Sequence, residues 1–541
     1  MSKNIKLGLI GIVVLVIAIV GFVVYKQKQH AELVEKIQRK TNMIVALTEL
    51  PETLNPVLAS SESAITVNNL IFDGLTNLSG ERIDHFQYGG ALELIQDAKD
   101  KKVYMVTVNT DKVWHDDPAH KLTAADVAFT FEAIINEAND SPLRGRISRL
   151  INNVEVLDDA TLRINFREAI APARVGWVLP FKLIPATYKG QPMGKNLKTD
   201  SVAQEFSKAP IGTGRWAFVS WNGNDVILRD TQIAPIDLDN ATEQTLAEAS
   251  QLHQITFTQV RDREKQAKLL MDGNIDLMLN SDPDLHTKLS DAGLKHADYV
   301  PHYFYALSFN TKKAPFDNAN VRRGIAMSID KAEVAGAVWS QEPEKFINKG
   351  PFPHNSERQY ESFEEMNPFK PGVAKKMLKK AEGTKATLIY PEEASNMMER
   401  FSGKLVQFIN EAGLQVEPKA LGRAFETQLQ NGNYDVALVR HSGFTQGYDI
   451  SPLFFSSSPK NISGWGNAGF DKTLQKWQET AFWTEKLPLS KIIHQELSKE
   501  SPYVFLFTLP TRAYFSPRLD KVLIADPSAL LNTAFTWTAT K

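Results

Sequence analysis

His115, Asp116, Asp117, His120 and Asp126 fall within residues 113–131, which read VWHDDPAHKLTAADVAFTF. Imidazoles and carboxylates this dense could ligate a metal or relay protons, provided that they converge on one point. The local pattern argues against convergence. Pro118 restricts Asp117 to extended backbone, so Asp116–Asp117–Pro118 reads as a turn. Thr123 and Asp126 form a helix start signal close to a capping box, with Val127, Phe131, Ile134 and Ile135 following on one face. His115 falls at a strand end and His120 on the loop. The stretch is expected to be a strand–turn–capped-helix scaffold with no metal and no catalytic residue. Elsewhere there is no H-E-x-x-H, no G-x-S-x-G and no phosphate-cradling glycine loop. The sequence holds no cysteine, which removes thiol nucleophiles, Cys-ligated zinc, iron–sulfur clusters and disulfides. An enzyme is not expected, nor a cofactor.

The scaffold around such residues must be large. The 541 residues exceed one compact core, and two or three domains are expected. The formal net charge of −2 gives no reason to expect a nucleic-acid partner. Residues 7–25, LGLIGIVVLVIAIVGFVVY, carry no charge. As a helix rising about 1.5 Å per residue they span roughly 28 Å, near the thickness of a bilayer's hydrocarbon. The run is longer than the roughly 7–15 apolar residues of a secretory signal and ends in Phe22, Val23, Val24 and Tyr25 rather than in small residues. An uncleaved transmembrane signal-anchor over residues 1–25 is therefore expected, followed by a polar stalk over 26–41 with Leu33, Val34 and Ile37 at helical spacing.

From residue 42 onward, short apolar strands alternate with amphipathic helices. Residues 102–108, KVYMVTV, read as a strand. Residues 261–279 read as a helix, a stop at Gly273 and a strand with Ile275, Leu277 and Leu279 on one face. Val321, Ile325 and Ile329 form a helix stripe, as do Phe401, Leu405, Phe408, Ile409 and Ala412, ending at Gly413. Residues 434–439, YDVALV, read as another strand. The interleaving implies an α/β fold with mixed sheets.

Six segments in order carry a family resemblance. VWHDDPAHKLTAADVAFTFEAI resembles the W-H-D-G…T-A-x-D-V-x-F-T/S-F segment of the bacterial extracellular solute-binding proteins, family 5, of oligopeptide, dipeptide and nickel ABC importers; Asp117 replaces the usual Gly. LNPVLASSESAITVNNLIFDGL (54–75) resembles their first strand–loop–helix. APIGTGRWAFVSW (209–221) resembles G-T-G-P-Y, with Arg215 and Trp216 for Pro-Tyr. GNIDLMLNSDP resembles the G-E-I-D strand. FNTKKAPFDNANVRRGIAMSIDKAEV (309–334) resembles N-x-x-x-x-P-F-x-D-x-R-V-R-x-A-I-x-x-A-I-D-R. WGNAGFDKTLQKW resembles the N-x-G-Y-x-N-x-x-Y-D-x-L element near the end.

The resemblance implies a bilobal, type II periplasmic-binding-protein-like α/β fold with an extra third domain, preceded here by the N-terminal helix. Carried over, lobe I is 42–77, 190–298 and 509–541, the extra domain 78–189 and lobe II 299–508. It implies a monomer on the periplasmic side of the bacterial cytoplasmic membrane, capturing a peptide or related small solute between the lobes. ABC permease and ATPase subunits would be its partners. By position, Ser60, Ser61 and Glu62 would form lobe I's lip, and Asn280 and Ser281 would end a strand that pairs with peptide backbone. A plain loop and a strand-end turn remain open for these residues.

Lobe II departs from the pattern. Peptide binders carry G-W-x-x-D-x-x-D/E-P after the YDVA strand, where this chain has LVRHSGFTQGYDISPLFF. The ammonium-binding Asp falls on Tyr448 or on Gly447, depending on whether Pro452 or Phe444 sets the count, and Asp449 lies close to both. Arg440 and His441 stand where Gly-Trp is expected, and a guanidinium and imidazole there could hold a carboxylate or phosphate. A surface ion pair for Arg440 and a core position for His441 also remain open. A nickel complex, haem or another anionic ligand, and a sensor without transport, are the alternatives to peptide import.

Overall fold

The computed structural model describes residues 3–78, 86–170, 172–280, 283–299, 303–339, 343–352, 363–392, 396–422, 424–442, 450–480, 483–509, 511–522, 531 and 533–539. Three sheets organise them. The largest has seven strands in the order Trp216–Asn222, Asp225–Asp230, Gln254–Gln259, Asn42–Leu47, Leu277–Asn280, Thr511–Phe515 and Lys295–Tyr299. Its middle three strands are parallel, with Asn42 beside Gln254, Leu47 beside Gln259 and Val45 beside Leu277. A five-stranded sheet runs Gln415–Leu421, Lys385–Pro391, Val436–Ser442, Tyr303–Phe309 and Tyr503–Phe507. A four-stranded antiparallel sheet runs Ala91–Gln96, Val103–Val108, Thr161–Phe166 and Ile151–Val156.

Among the described strands, the chain passes between the two larger sheets twice, from Tyr299 to Tyr303 and from Phe507 to Thr511. The four-stranded sheet lies between Asn42–Leu47 and Trp216–Asn222 in sequence and shares a core with the seven-stranded sheet. Tyr104, Val106 and Ile164 from one pack in the same cluster as Val45, Val226 and Phe257 from the other. Helices Arg263–Met271 and Pro283–Asp291 contribute Leu270, Leu285 and Leu289 to the cluster on the large sheet's other face, with Met278 and Tyr514. Both faces of the five-stranded sheet are covered as well. Tyr305, Leu307 and Phe309 point into one cluster, Phe304 and Ala306 into another. Burial on both faces explains why Tyr303–Phe309 reads as an almost unbroken apolar run.

Local rules account for the helices that the sequence foreshadows. Helix Arg263–Met271 is followed by Gly273 at φ +73°, where any other residue would be strained. Helices Ala319–Ser328 and Met397–Glu411 bury the stripes Val321/Ile325 and Phe401/Leu405/Phe408/Ile409. The strand expected over 434–439 instead starts at Val436 and runs to Ser442, drawing Arg440 and His441 into the sheet.

The N-terminal helix spans Lys3–Thr41 and passes directly into Asn42–Leu47. Its last turns are docked rather than standing off as a stalk. His30, Leu33 and Val34 are partly covered and Ile37 is fully buried, the i, i+3, i+4, i+7 stripe of a packed helix. Arg39 donates Nη1 and Nη2 to the two carboxylate oxygens of Asp276, each at 2.7 Å. Arg518 grips the same carboxylate through Nε and Nη2, each at 2.6 Å, and the Ile44 amide donates to it at 2.8 Å. Burial alone would raise the Asp276 pKa, but the hydrogen bonds from Arg39 and Arg518 hold it below its ordinary value.

The expectation of a membrane-crossing N-terminus finds no support here. Among the described residues no helix is long and apolar enough to cross a membrane. The side chains of residues 3–18, which make up most of the apolar run, lie outside the description.

Candidate functional site

The parallel strands Asn42–Leu47, Gln254–Gln259 and Leu277–Asn280 end on the same edge of their sheet. Ligand crevices of open α/β sheets lie outside such carboxyl ends. Here that edge adjoins the crossovers, because Asn280 and Asp298 both pair with Arg512, one residue into the strand that follows Phe507. In the five-stranded sheet, Tyr303 pairs with Ser442, Phe304 with His441 and Tyr305 with Arg440. Tyr305 also pairs with Phe507. The two crossovers are thus flanked by Leu47, Gln259 and Asn280 on one side and by Arg440 to Ser442 on the other.

Ser60 and Ser61 end the loop that leaves Leu47, and that loop is tied to itself. Glu52 accepts the Ser60 and Ser61 amides at 2.6 and 3.0 Å and both serine hydroxyls. Burial tends to raise the Glu52 pKa, but the Ser61 hydroxyl and the two amides overcome it and hold the pKa down to about 2. The Ser61 hydroxyl also accepts the Ala64 amide at 3.1 Å, capping helix Glu62–Ile71. Glu62 is exposed in the first turn, where a carboxylate favours the helix dipole. The serines therefore build a closed loop and a helix cap, with their polar groups directed to Glu52. Sequence reasoning missed Glu52, because nothing local marks a carboxylate that bonds residues 8 and 9 positions later.

Asn280 ends its strand, and the neighbouring Leu279 carbonyl accepts Arg263 Nη1 at 3.0 Å. Ser281, Phe444 and Asp449, with Gly447 and Tyr448, lie outside the described residues.

Arg440 and His441 are successive strand residues, so their side chains leave opposite faces. Arg440 shares its face with Tyr305 and is exposed at the strand's end. His441 shares the opposite face with Phe304, at 5.5 Å between ring centroids, and meets the Tyr503 ring at 5.4 Å. Burial, aided by the charge of Lys460, pulls the His441 pKa from 6.5 down to about 4, so the ring is neutral at pH 7. A joint clamp of both residues on one anion does not survive this arrangement, because the strand extends through both.

In the dense stretch at 113–131 the polar groups bond one another and nearby backbone. Asp126 is buried and accepts the Thr123 amide at 2.9 Å and the Ala186 amide at 2.7 Å, capping helix Ala124–Ile135. His120 Nδ1 meets Asp116 at 2.9 Å. His115 serves other partners. Its Nδ1 accepts the Gly212 amide at 3.1 Å and its Nε2 donates to the Gly214 carbonyl at 2.7 Å, which fixes the tautomer. Gly212 and Gly214 are required because the turn presses on the end of helix Glu62–Ile71. A Cβ at Gly212 would fall 1.8 Å from the Ile71 carbonyl oxygen. His115 thereby ties its own turn to the glycine turn that presses on the end of helix Glu62–Ile71.

Two mixed sheets joined by two crossovers, with carboxyl-end loops at the join, define a two-lobed solute-binding protein. The family model described as bacterial extracellular solute-binding proteins, family 5 Middle, matches residues 53–461, and the chain belongs to that family. It is 22% identical over 520 residues to di/tripeptide-binding protein 1 of Pseudomonas aeruginosa, covering 86% of this chain and 93% of that relative. Among solved structures, the ABC transporter substrate-binding protein CtaP of Listeria monocytogenes superimposes with a TM-score of 0.77 at 20% identity, covering 92% of this chain and 99% of that one. NikZ of Campylobacter jejuni, solved with Ni(L-His), gives 0.72 at 20% identity, covering 92% and 99%.

Proposed function

We propose that this protein captures a peptide or a related small solute between two lobes and delivers it, chemically unchanged, to an ABC permease powered by ATPase subunits. The observation that carries the reading is the placement of Leu47, Gln259 and Asn280 opposite Arg440 to Ser442 across the two crossovers. A ligand touching both edges would favour one interlobe angle, the general means by which such proteins close. In this reading lobe I is 42–77, 190–298 and 509–541, lobe II is 299–508, and 78–189 is an accessory domain. The strand end at Asn280 supplies main-chain groups for an extended peptide, as an added strand would. In this reading the protein acts as a monomer on the periplasmic side of the cytoplasmic membrane, with the uncharged run at 7–25 as its anchor.

The position of Arg440, an exposed residue at lobe II's edge, supports a second reading, in which the solute carries a carboxylate or phosphate. His441 takes no charged part in it.

Native mass spectrometry of the full-length protein purified in mild detergent tests both readings. A bound short peptide that dissociates intact on denaturation is the expected result. A bound non-peptide anion whose retention falls in Arg440→Ala would favour the second reading. Conversion of an offered di- or tripeptide into a product would overturn capture without chemistry.

A further inference from the structure

Trp339 is buried to 2% exposure, yet much of what covers it comes from the other sheet. It follows helix Lys331–Gly336, which packs with Leu307, Leu388 and Leu438 of the five-stranded sheet. Its indole is stacked on His286 of helix Pro283–Asp291, 5.8 Å between centroids and 15° from parallel. The Arg512 guanidinium lies 4.4 Å from the same ring. His286 and Arg512 both belong to the seven-stranded sheet and its covering helices, where His286 also meets the His296 and Tyr514 rings at 5.5 and 5.8 Å.

The contact sits beside a crossover. Phe346 meets Trp339 edge-on at 6.1 Å, and its carbonyl accepts the Thr508 amide at 2.9 Å, inside the crossover that leaves Phe507. The Asn348 side chain donates to Thr508 Oγ1 at 2.9 Å. Buried Lys331 pairs with Glu365 at 2.7 Å and pins the helix that precedes Trp339. Any rotation of one sheet against the other about Thr508 must slide or part the indole from His286 and Arg512, because the partners ride on different bodies.

We propose that Trp339 is an interlobe latch. Its contacts with His286 and Arg512 set the resting angle between the lobes. They thereby tune the affinity of a solute that they do not touch, since a solute binds with an apparent constant scaled by the population of the competent angle. The effect on affinity rests on the capture reading above; the effect on angle does not.

The absence of cysteine makes the test direct. Lys265→Cys and Glu411→Cys, both exposed and on opposite bodies, are spin-labelled in the full-length, ligand-free protein, and interlobe distances are read by pulsed electron resonance. Trp339→Ala is expected to raise the population outside the wild-type distance peak about two- to fivefold, the weight of one partly desolvated cation–π contact. Arg512→Lys keeps the charge but loses the flat guanidinium, and should give a smaller shift in the same direction. Trp339→Phe reads the same effect if the alanine variant fails to fold, which its melting curve reports. Distance distributions that coincide with the wild type in Arg512→Lys and in whichever folded Trp339 variant is read would overturn the latch.

Discussion

The far pole of the seven-stranded sheet and the aromatic face at the crossover end of the five-stranded sheet are held by opposite chemistry. At the first, a carboxylate with no exposed side-chain surface is gripped by Arg39 and Arg518, whose side chains are 30% and 10% exposed. At the second, His441 lies neutral among Phe304 and Tyr503. A doubly paired carboxylate fixes three chain segments at set distances and directions, because each guanidinium fork matches two oxygens. An aromatic wall excludes water and favours certain ring geometries, but each ring pair holds its partners less firmly than a charge-assisted fork does. The region beside the crossovers is thus held by weaker contacts than the region remote from them.

Breaking the ionic junction should have the largest effect. Asp276→Ala leaves two guanidiniums facing each other without a counter-charge and should cost about 3–5 kcal/mol. Urea unfolding would show it as a lower midpoint, and a change under about 1 kcal/mol would mean that the junction contributes little to stability.

Acid separates the two regions by window. An unfolded His441 takes up its proton near 6.5, whereas the folded ring waits until about 4. The unfolded chain therefore binds more protons between those values, and stability falls as pH drops through that window and is level with respect to this group below it. Asp276 has a depressed folded pKa, so its contribution is complete above the ordinary carboxylate value of about 4 and is lost only at lower pH. His441→Phe should reduce the slope of the upper window, to which His115, His253 and His494, each lowered by burial, also contribute, and Asp276→Asn that of the lower, which it shares with Glu52. A shared change would show that the regions are not independent. The smallest effect is local to the loop that Glu52 closes. Ser61→Ala removes the cap of helix Glu62–Ile71 and one partner of Glu52, with an expected loss of about 1 kcal/mol and an upward shift of the Glu52 pKa by carboxylate NMR titration.

The legible parts of this molecule were those whose signal is short-range. The Thr123–Asp126 cap, the stop at Gly273 and the stripe from Phe401 to Ile409 each sit within one or two helical turns, and each is present. The tertiary contacts were less legible, because most of the partners are remote in sequence. Glu52 finds Ser61 across a loop, His115 finds Gly212 and Gly214 about a hundred residues on, and Arg39 finds Asp276 237 residues away. Arg440 and His441 fail as a joint clamp through strand length. Three further residues of pairing, set by Tyr303–Phe309, carry the strand past its expected end at 439 and send the two side chains to opposite faces.

Ile37 and Arg39 move the start of the folded body upstream of its first strand. A chain shortened to begin at Asn42 would keep every strand, yet uncover the surface against which Ile37 packs and strip Asp276 of one of its two cations. Shortening this protein from its N-terminus therefore has a natural limit near His30, and a cut twelve residues later would cost packing and acid tolerance alike.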